Sequence, residues 1–144
     1  MYDAVVAGGS ISGLLTAREI AKRGHSVLVL EEGFEVGNPE HCGGLVSKNA
    51  LKELNIEPSQ KTLDGEIYCA KIFSPDGKEI TINSERQKII VINRRELDKQ
   101  AARQARDNGA EISVKTSFQE KINNGVKTSN GDIECKFFVD CRGV

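Results

Sequence analysis

Apolar residues recur along this chain in two rhythms, and the switches between them mark out its elements. At 2–7 the run Y-D-A-V-V-A is short, apolar and β-branched, the pattern of a strand buried on both faces. Gly8-Gly9-Ser10-Ile11-Ser12-Gly13 breaks that run with a glycine turn. Leu14, Ala17 and Ala21 then recur at helical spacing, Leu15 and Ile20 widen the face, and Gly24 stands where a helix stop belongs. S-V-L-V-L at 26–30 predicts a second buried strand, ending in Glu31 and Glu32. Strand, glycine turn, helix and strand within about 30 residues make a βαβ unit, which is parallel and almost always right-handed.

The rhythm then loosens. Residues 33–46 read as loop, rich in glycine, and Ser47 can cap a short helix to about Asn55 with Ala50, Leu51 and Leu54 as its apolar residues. From 63 to 82 the pattern is that of strands around Pro75-Asp76-Gly77, a hairpin signal. Ile89–Ile92 predicts one more strand. Asn93 opens a helix with Glu96 three residues on, Leu97, Ala101 and Ala105 line its apolar face, and Asn108-Gly109 ends it. Turn signals at Asn124-Gly125 and Asn130-Gly131 predict a three-stranded antiparallel meander, and 137–141 reads as a further apolar strand. The fold class expected is α/β: a Rossmann-like, doubly wound parallel sheet with the βαβ unit at its start and a small meander. Such a fold would continue past Val144 with another helix or loop and strand, so the sequence reads as a single nucleotide-binding domain over 1–144, truncated at its C-terminal side.

Composition narrows the function. A chain of 144 residues suits one domain and can bury a core. The formal net charge of -1 lacks the basic footprint that nucleic acid needs and does not favour anionic membrane surfaces. No apolar run approaches the roughly 20 residues that span a bilayer. The N-terminus lacks the pattern of an export signal, so the expected compartment is the cytoplasm. Cys42, Cys69, Cys135 and Cys141 show no paired metal-ligand spacing, so no metal site is expected. In a reducing compartment three of these cysteines read as small buried hydrophobes; Cys42, in a glycine-rich loop, is set apart.

The turn at 8–13 carries the chemistry. A dinucleotide fingerprint G-x-G-x-x-G needs glycine for a tight turn, for close approach of the diphosphate and for helix–strand packing. Here Gly8 and Gly13 hold the outer positions and Ser10 the middle one, which places a side chain where bare backbone would admit phosphate most closely. The context is the expected one: the turn follows a strand and opens a helix, whose N–H groups and dipole favour a diphosphate. Glu31, 23 residues after Gly8, stands where a carboxylate accepts hydrogen bonds from ribose and disfavours a 2′-phosphate. The bland alternative is that the glycines only shape a turn and that Glu31 and Glu32 are solvated.

Several stretches together resemble the geranylgeranyl reductases within the p-hydroxybenzoate-hydroxylase-like flavoproteins. They are D-A-V-V-A-G-G-S-I-S-G, V-L-V-L-E-E, H-C-G-G-L-V-S, N-R-R-E-L-D-K-Q and F-V-D-C-R-G, in the family's order. The resemblance implies FAD as cofactor. It assigns Gly8, Ser12 and Gly13 to the diphosphate, Glu31 to the adenosine ribose and the backbone of Phe118 to the adenine, with Gly9, Ser10 and Glu32 beside them as further cofactor-binding candidates. It sets Cys42 and Gly43 along the flavin, with Cys42 as the catalytic candidate, either as a reactive thiol or as a neutral one packed on the ring. Arg94 matches the arginine that reaches the cofactor from the start of the second long helix. By residue type alone Arg94 reads either as a solvated first-turn residue or, since a helix N-terminus does not favour a cation, as a functional one; Arg95 reads as solvated, His41 as a bystander and the Phe118 side chain as core. Ser10, Leu45 and 140–143 depart from the family pattern, and the later Gly-Asp segment and the substrate sheet are absent.

The function expected is that of the N-terminal, FAD-binding part of an oxidoreductase that reduces C=C bonds of a geranylgeranyl or other isoprenoid lipid. The alternatives are a flavin monooxygenase, an electron-transfer flavoprotein-type dehydrogenase, or a non-catalytic nucleotide-binding half of a split protein. Partners expected are a small-molecule or isoprenoid-lipid substrate, with peripheral membrane contact and self-association or a partner chain through the uncovered edge left open, and no nucleic acid.

Overall fold

The computed structural model describes residues 1–38, 42–83 and 89–143. In chain order its elements are β1 (Tyr2–Ala7), α1 (Ile11–Lys22), β2 (Val27–Leu30), β3 (Leu45–Ser47), α2 (Lys48–Glu53), β4 (Leu63–Ile67), β5 (Cys69–Phe73), β6 (Glu79–Asn83) and β7 (Ile89–Ile92). They continue with α3 (Arg94–Asp107), β8 (Glu111–Ser113), β9 (Phe118–Ile122), β10 (Gly125–Thr128) and β11 (Gly131–Asp140). Residues 1–40 and 95–144 group into one compact unit and 41–94 into a second, where the sequence alone suggested a single domain.

The first unit is built on a six-stranded sheet in the order β8-β2-β1-β11-β10-β9. β8, β2, β1 and β11 are parallel, and β10 and β9 turn back antiparallel. Strand parity divides its core in two. Ala4, Val6, Val27 and Val29 face the helices, packing on Leu14, Ala17 and Ala21 of α1 and on Ala101, Ala102 and Ala105 of α3. Val5, Leu28 and Leu30 face the other way, onto Val126 of β10 with Phe118, Ile133 and Phe138. A run buried on both faces is what a parallel strand between two layers requires. The alanines of the helix layer let both helices lie close to the sheet.

The meander is not a separate appendage. The 137–141 strand and the third meander strand are one ten-residue strand, β11. Its first four residues pair antiparallel with β10, and Cys135–Asp140 run parallel to β1. Sequence pattern divides such a strand because its neighbours, not its own residues, change halfway. β8 was not anticipated either; at three residues it is too short to show a period, and it is made by pairing with β2.

The second unit holds an antiparallel sheet in the order β3-β7-β4 and a separate two-stranded ribbon, β5–β6. Ser47 caps α2 as expected, accepting the Ala50 N–H, but the helix ends at Glu53 and only Leu51 of its three apolar residues is buried. Residues 45–46, expected as loop, belong to β3 because β7 offers them a partner edge. Cys69 corrects the expectation of a buried thiol: it is exposed at the start of β5, while Cys135 and Cys141 are half-buried.

Candidate functional site

The C-terminal ends of β1, β2 and β11 open into one cleft of about 160 Å3. The chain reverses its direction between β1 and α1 in very little space. Gly8 has φ +107°, and a Cβ there would stand 2.5 Å from the Cys141 carbonyl oxygen. A Cβ on Gly13 would stand 1.9 Å from the Gly8 carbonyl oxygen. A side chain at Gly8 would push the turn off the backbone that follows β11, and one at Gly13 would push α1 off the turn, so these two glycines are demanded by the backbone.

Ser10 is the N-cap of α1. Its backbone is extended and its carbonyl accepts the Leu14 N–H at 3.0 Å, but its side chain makes no capping bond. The first-turn N–H groups have no partner within a helix by geometry, and no acidic side chain occupies the first turn. Ser10 is exposed and lines the cleft with Gly8 and Gly9. These donors, with the helix dipole, form an anion cradle.

Glu31 closes the opposite side. Its Oε2 accepts the Gly9 N–H at 2.9 Å and its Oε1 the Gly33 N–H at 2.7 Å. The carboxylate therefore ties the glycine turn to the loop after β2. Each oxygen has a second lone pair, so it can still accept from a ligand. The Thr116 N–H donates to the Glu31 carbonyl at 2.9 Å, which brings 116–118 to the cleft wall beside Glu32.

The remaining wall is aromatic and cationic. The Phe118 ring stacks on Phe138 with centroids 4.5 Å apart and planes 16° from parallel. The Arg142 guanidinium lies 4.6 Å from the Phe118 centroid. Asp140 grips that guanidinium at both oxygens, Nε at 2.9 Å and the terminal nitrogen at 2.6 Å. The Arg142 hydrogen bonds hold the Asp140 carboxyl down at about 2, and Asp140 in turn raises the guanidinium.

Of the residues the sequence singled out, Gly8, Gly9, Ser10, Glu31, Glu32 and Phe118 come together in this cleft. Ser12 and Gly13 lie in the first turn of α1. Cys42 and Gly43 belong to the second unit, as does Arg94 at the start of α3, and none of the three lines the cleft. Cys42 is exposed. His41 falls outside the described residues. Sequence reasoning did not single out Thr116, Ser117 or Arg142 as site residues. The one signal for Arg142 was its place just past the end of an apolar strand, the position where α/β sheets bind ligands.

The cradle fits the diphosphate of a dinucleotide: backbone donors at a helix start, no Cβ at Gly8, and a fixed carboxylate one strand away. Among the described residues no group of three His, Cys, Asp or Glu side chains could hold a metal, and no helix is long and apolar enough to cross a membrane.

Comparison with known proteins agrees with that chemistry. The sequence model described as FAD dependent oxidoreductase matches residues 3–80. The chain is 36% identical over 118 residues to a digeranylgeranylglycerophospholipid reductase of Methanocella arvoryzae, covering 80% of this chain and 30% of that protein. It is 32% identical over 144 residues to digeranylgeranylglycerophospholipid reductase 1 of Methanosphaera stadtmanae, covering 97% of this chain and 36% of that protein. The crystal structure of a geranylgeranyl bacteriochlorophyll reductase-like protein from Thermoplasma acidophilum superposes with a TM-score of 0.91 at 31% identity, over 99% of this chain and 39% of that one. The chain thus spans about a third of the length of the relatives it matches.

Proposed function

This chain belongs to the FAD-dependent oxidoreductase family, and from that premise we propose that it is the FAD-holding part of a reductase acting on the C=C bonds of a geranylgeranyl-type isoprenoid lipid. The observation that carries the reading is the cradle itself, in which Gly8 and Gly13 exclude any Cβ while Glu31 fixes the turn through the Gly9 N–H. The substrate class is supported by the names of the two archaeal relatives.

In this reading the first-turn N–H groups of α1, with the Ser10 and Ser12 hydroxyls, hold the diphosphate against the turn of Gly8 and Gly9, whose Gly9 N–H stays with Glu31. Glu31 and Glu32 accept from the ribose, and the Phe118 backbone meets the adenine. Motif resemblance assigns Cys42, Gly43 and Arg94 to the flavin side, Cys42 nearest the reacting ring. When bound, the flavin supplies hydride chemistry, and the protein supplies position and charge. A cytoplasmic site of action and contact with a lipid surface belong to the same proposal.

The test is a titration of the purified chain with FAD, followed by visible absorbance and flavin fluorescence, with NAD in parallel. Saturable binding of FAD but not NAD is expected, and Glu31→Ala weakens it. Equal binding of NAD, or FAD binding indifferent to Glu31, would overturn the assignment. The 144-residue chain alone, given reduced flavin and an isoprenoid lipid, is expected to show no alkene reduction; robust turnover would mean that the parts found only in its longer relatives are dispensable.

A further inference from the structure

We propose that Arg142 is a cofactor-binding residue whose guanidinium forms the outermost layer of a ready-made stack receiving the adenine ring; this rests on the FAD reading above. A dinucleotide laid in the cleft has its parts assigned by position. The diphosphate takes the start of α1 and the ribose takes Glu31 at the end of β2. The wall left for the base runs through Thr116, Ser117 and Phe118 to Cys141 and Arg142, and its planar groups are Phe118 and Arg142.

That wall is layered: Phe138 under Phe118 at 4.5 Å, and the Arg142 guanidinium over Phe118 at 4.6 Å. Arg142 is the only cation among the described residues lining the cleft, against Glu31 and Glu32. It is also held in advance. Asp140 accepts from both ends of the guanidinium and from the Arg142 backbone N–H at 3.2 Å, so little side-chain freedom is left to lose on binding. The side chain is 49% exposed, so it has surface left for a ligand. With its Cζ over the Phe118 ring, the planar guanidinium has its other face left for a purine, which suits it through its π-system.

The experiment measures dissociation constants of the 144-residue chain for FAD and for ADP, in wild type, Arg142→Ala, Arg142→Lys, Asp140→Asn and Phe118→Leu. Lysine keeps the charge and loses the plane. Arg142→Ala and Arg142→Lys are expected to weaken both ligands by about tenfold, with Asp140→Asn and Phe118→Leu weaker by a smaller factor. Thermal melts followed by circular dichroism check that each variant is folded, which the exposure of Arg142 favours. Wild-type affinity in Arg142→Lys would overturn the stack and make Arg142 a phosphate-binding charge. Wild-type affinity in Arg142→Ala would overturn any role for Arg142 while leaving the FAD reading intact. Failure of the wild type to bind FAD or ADP would overturn the FAD reading and this inference with it.

Discussion

The two units of this protein use similar strand-forming sequence to opposite effect. In the first, β1 and β2 are buried on both faces, Val5, Val6 and Val29 completely. In the second, only Leu51, Ile56, Ile90 and Ile92 are buried among the apolar residues described. Nine of the twelve exposed large apolar side chains among the described residues lie there, so the contrast is one of partners rather than composition. The β5–β6 ribbon makes the point. Ile72 faces Ile80 and Ala70 faces Ile82 on one side of it, yet all four are exposed. A two-stranded ribbon whose apolar face is left exposed among the described residues is marginally stable in water. An apolar strand contributes to stability only when a second layer meets it.

Single substitutions test how far the two units differ. The largest effect belongs in the first unit: Leu14→Ala empties a fully buried site between α1 and the sheet and is expected to cost about 3 kcal/mol by denaturant unfolding. A loss under about 1 kcal/mol would mean that this core is looser than its packing implies. Next is Glu31→Ala, which frees the Gly9 and Gly33 N–H groups and should destabilise the first unit by roughly 1–2 kcal/mol even without ligand. Native-state hydrogen exchange should rank the two regions, with amides of β1 and β2 exchanging slowest and those of β5 and β6 among the fastest; equal protection would erase the distinction drawn here.

A smaller effect is expected in acid. The Lys136 ammonium, at 2.7 Å, and the Ser26 N–H and hydroxyl, each at 2.9 Å, hold the Asp3 carboxyl well below the usual carboxylate range. A carboxyl depressed in the folded state lends stability that is fully present above its unfolded value, about pH 4, and is lost as pH falls below it. The melting temperature should therefore drop on acidification from pH 6 to pH 3, and Asp3→Asn should flatten that drop. A variant as acid-sensitive as the wild type would remove Asp3 from the account. Smallest of all, Ile72→Thr on the open ribbon should change stability by no more than about 0.5 kcal/mol. A cost above about 2 kcal/mol would show that the ribbon face is covered after all.

Much of the first unit was legible from local pattern. The boundaries of β1, the apolar face of α1, the helix stop at Gly109 and the meander turns all follow from side-chain period and turn chemistry, which act over a few residues, as does the Ser47 cap in the second unit. The glycine turn and Glu31 were legible for the same reason, since strand, turn and helix are contiguous and the carboxylate follows at the end of the next strand. What sequence could not show was which distant segments meet. The third meander strand and the last parallel strand are one because β10 and β1 take successive halves of it. Arg142 enters the cleft because β11 pairs beside β1, and its guanidinium reaches Phe118 only because the meander is folded onto that face of the sheet. The long elements and the glycine cradle have steric, local causes and could be read along the chain. The short strands β3 and β8, the register of β11, the double tie of Glu31 and the aromatic–cation wall came only with folding, because each depends on pairings between residues too far apart in the chain for any period to record.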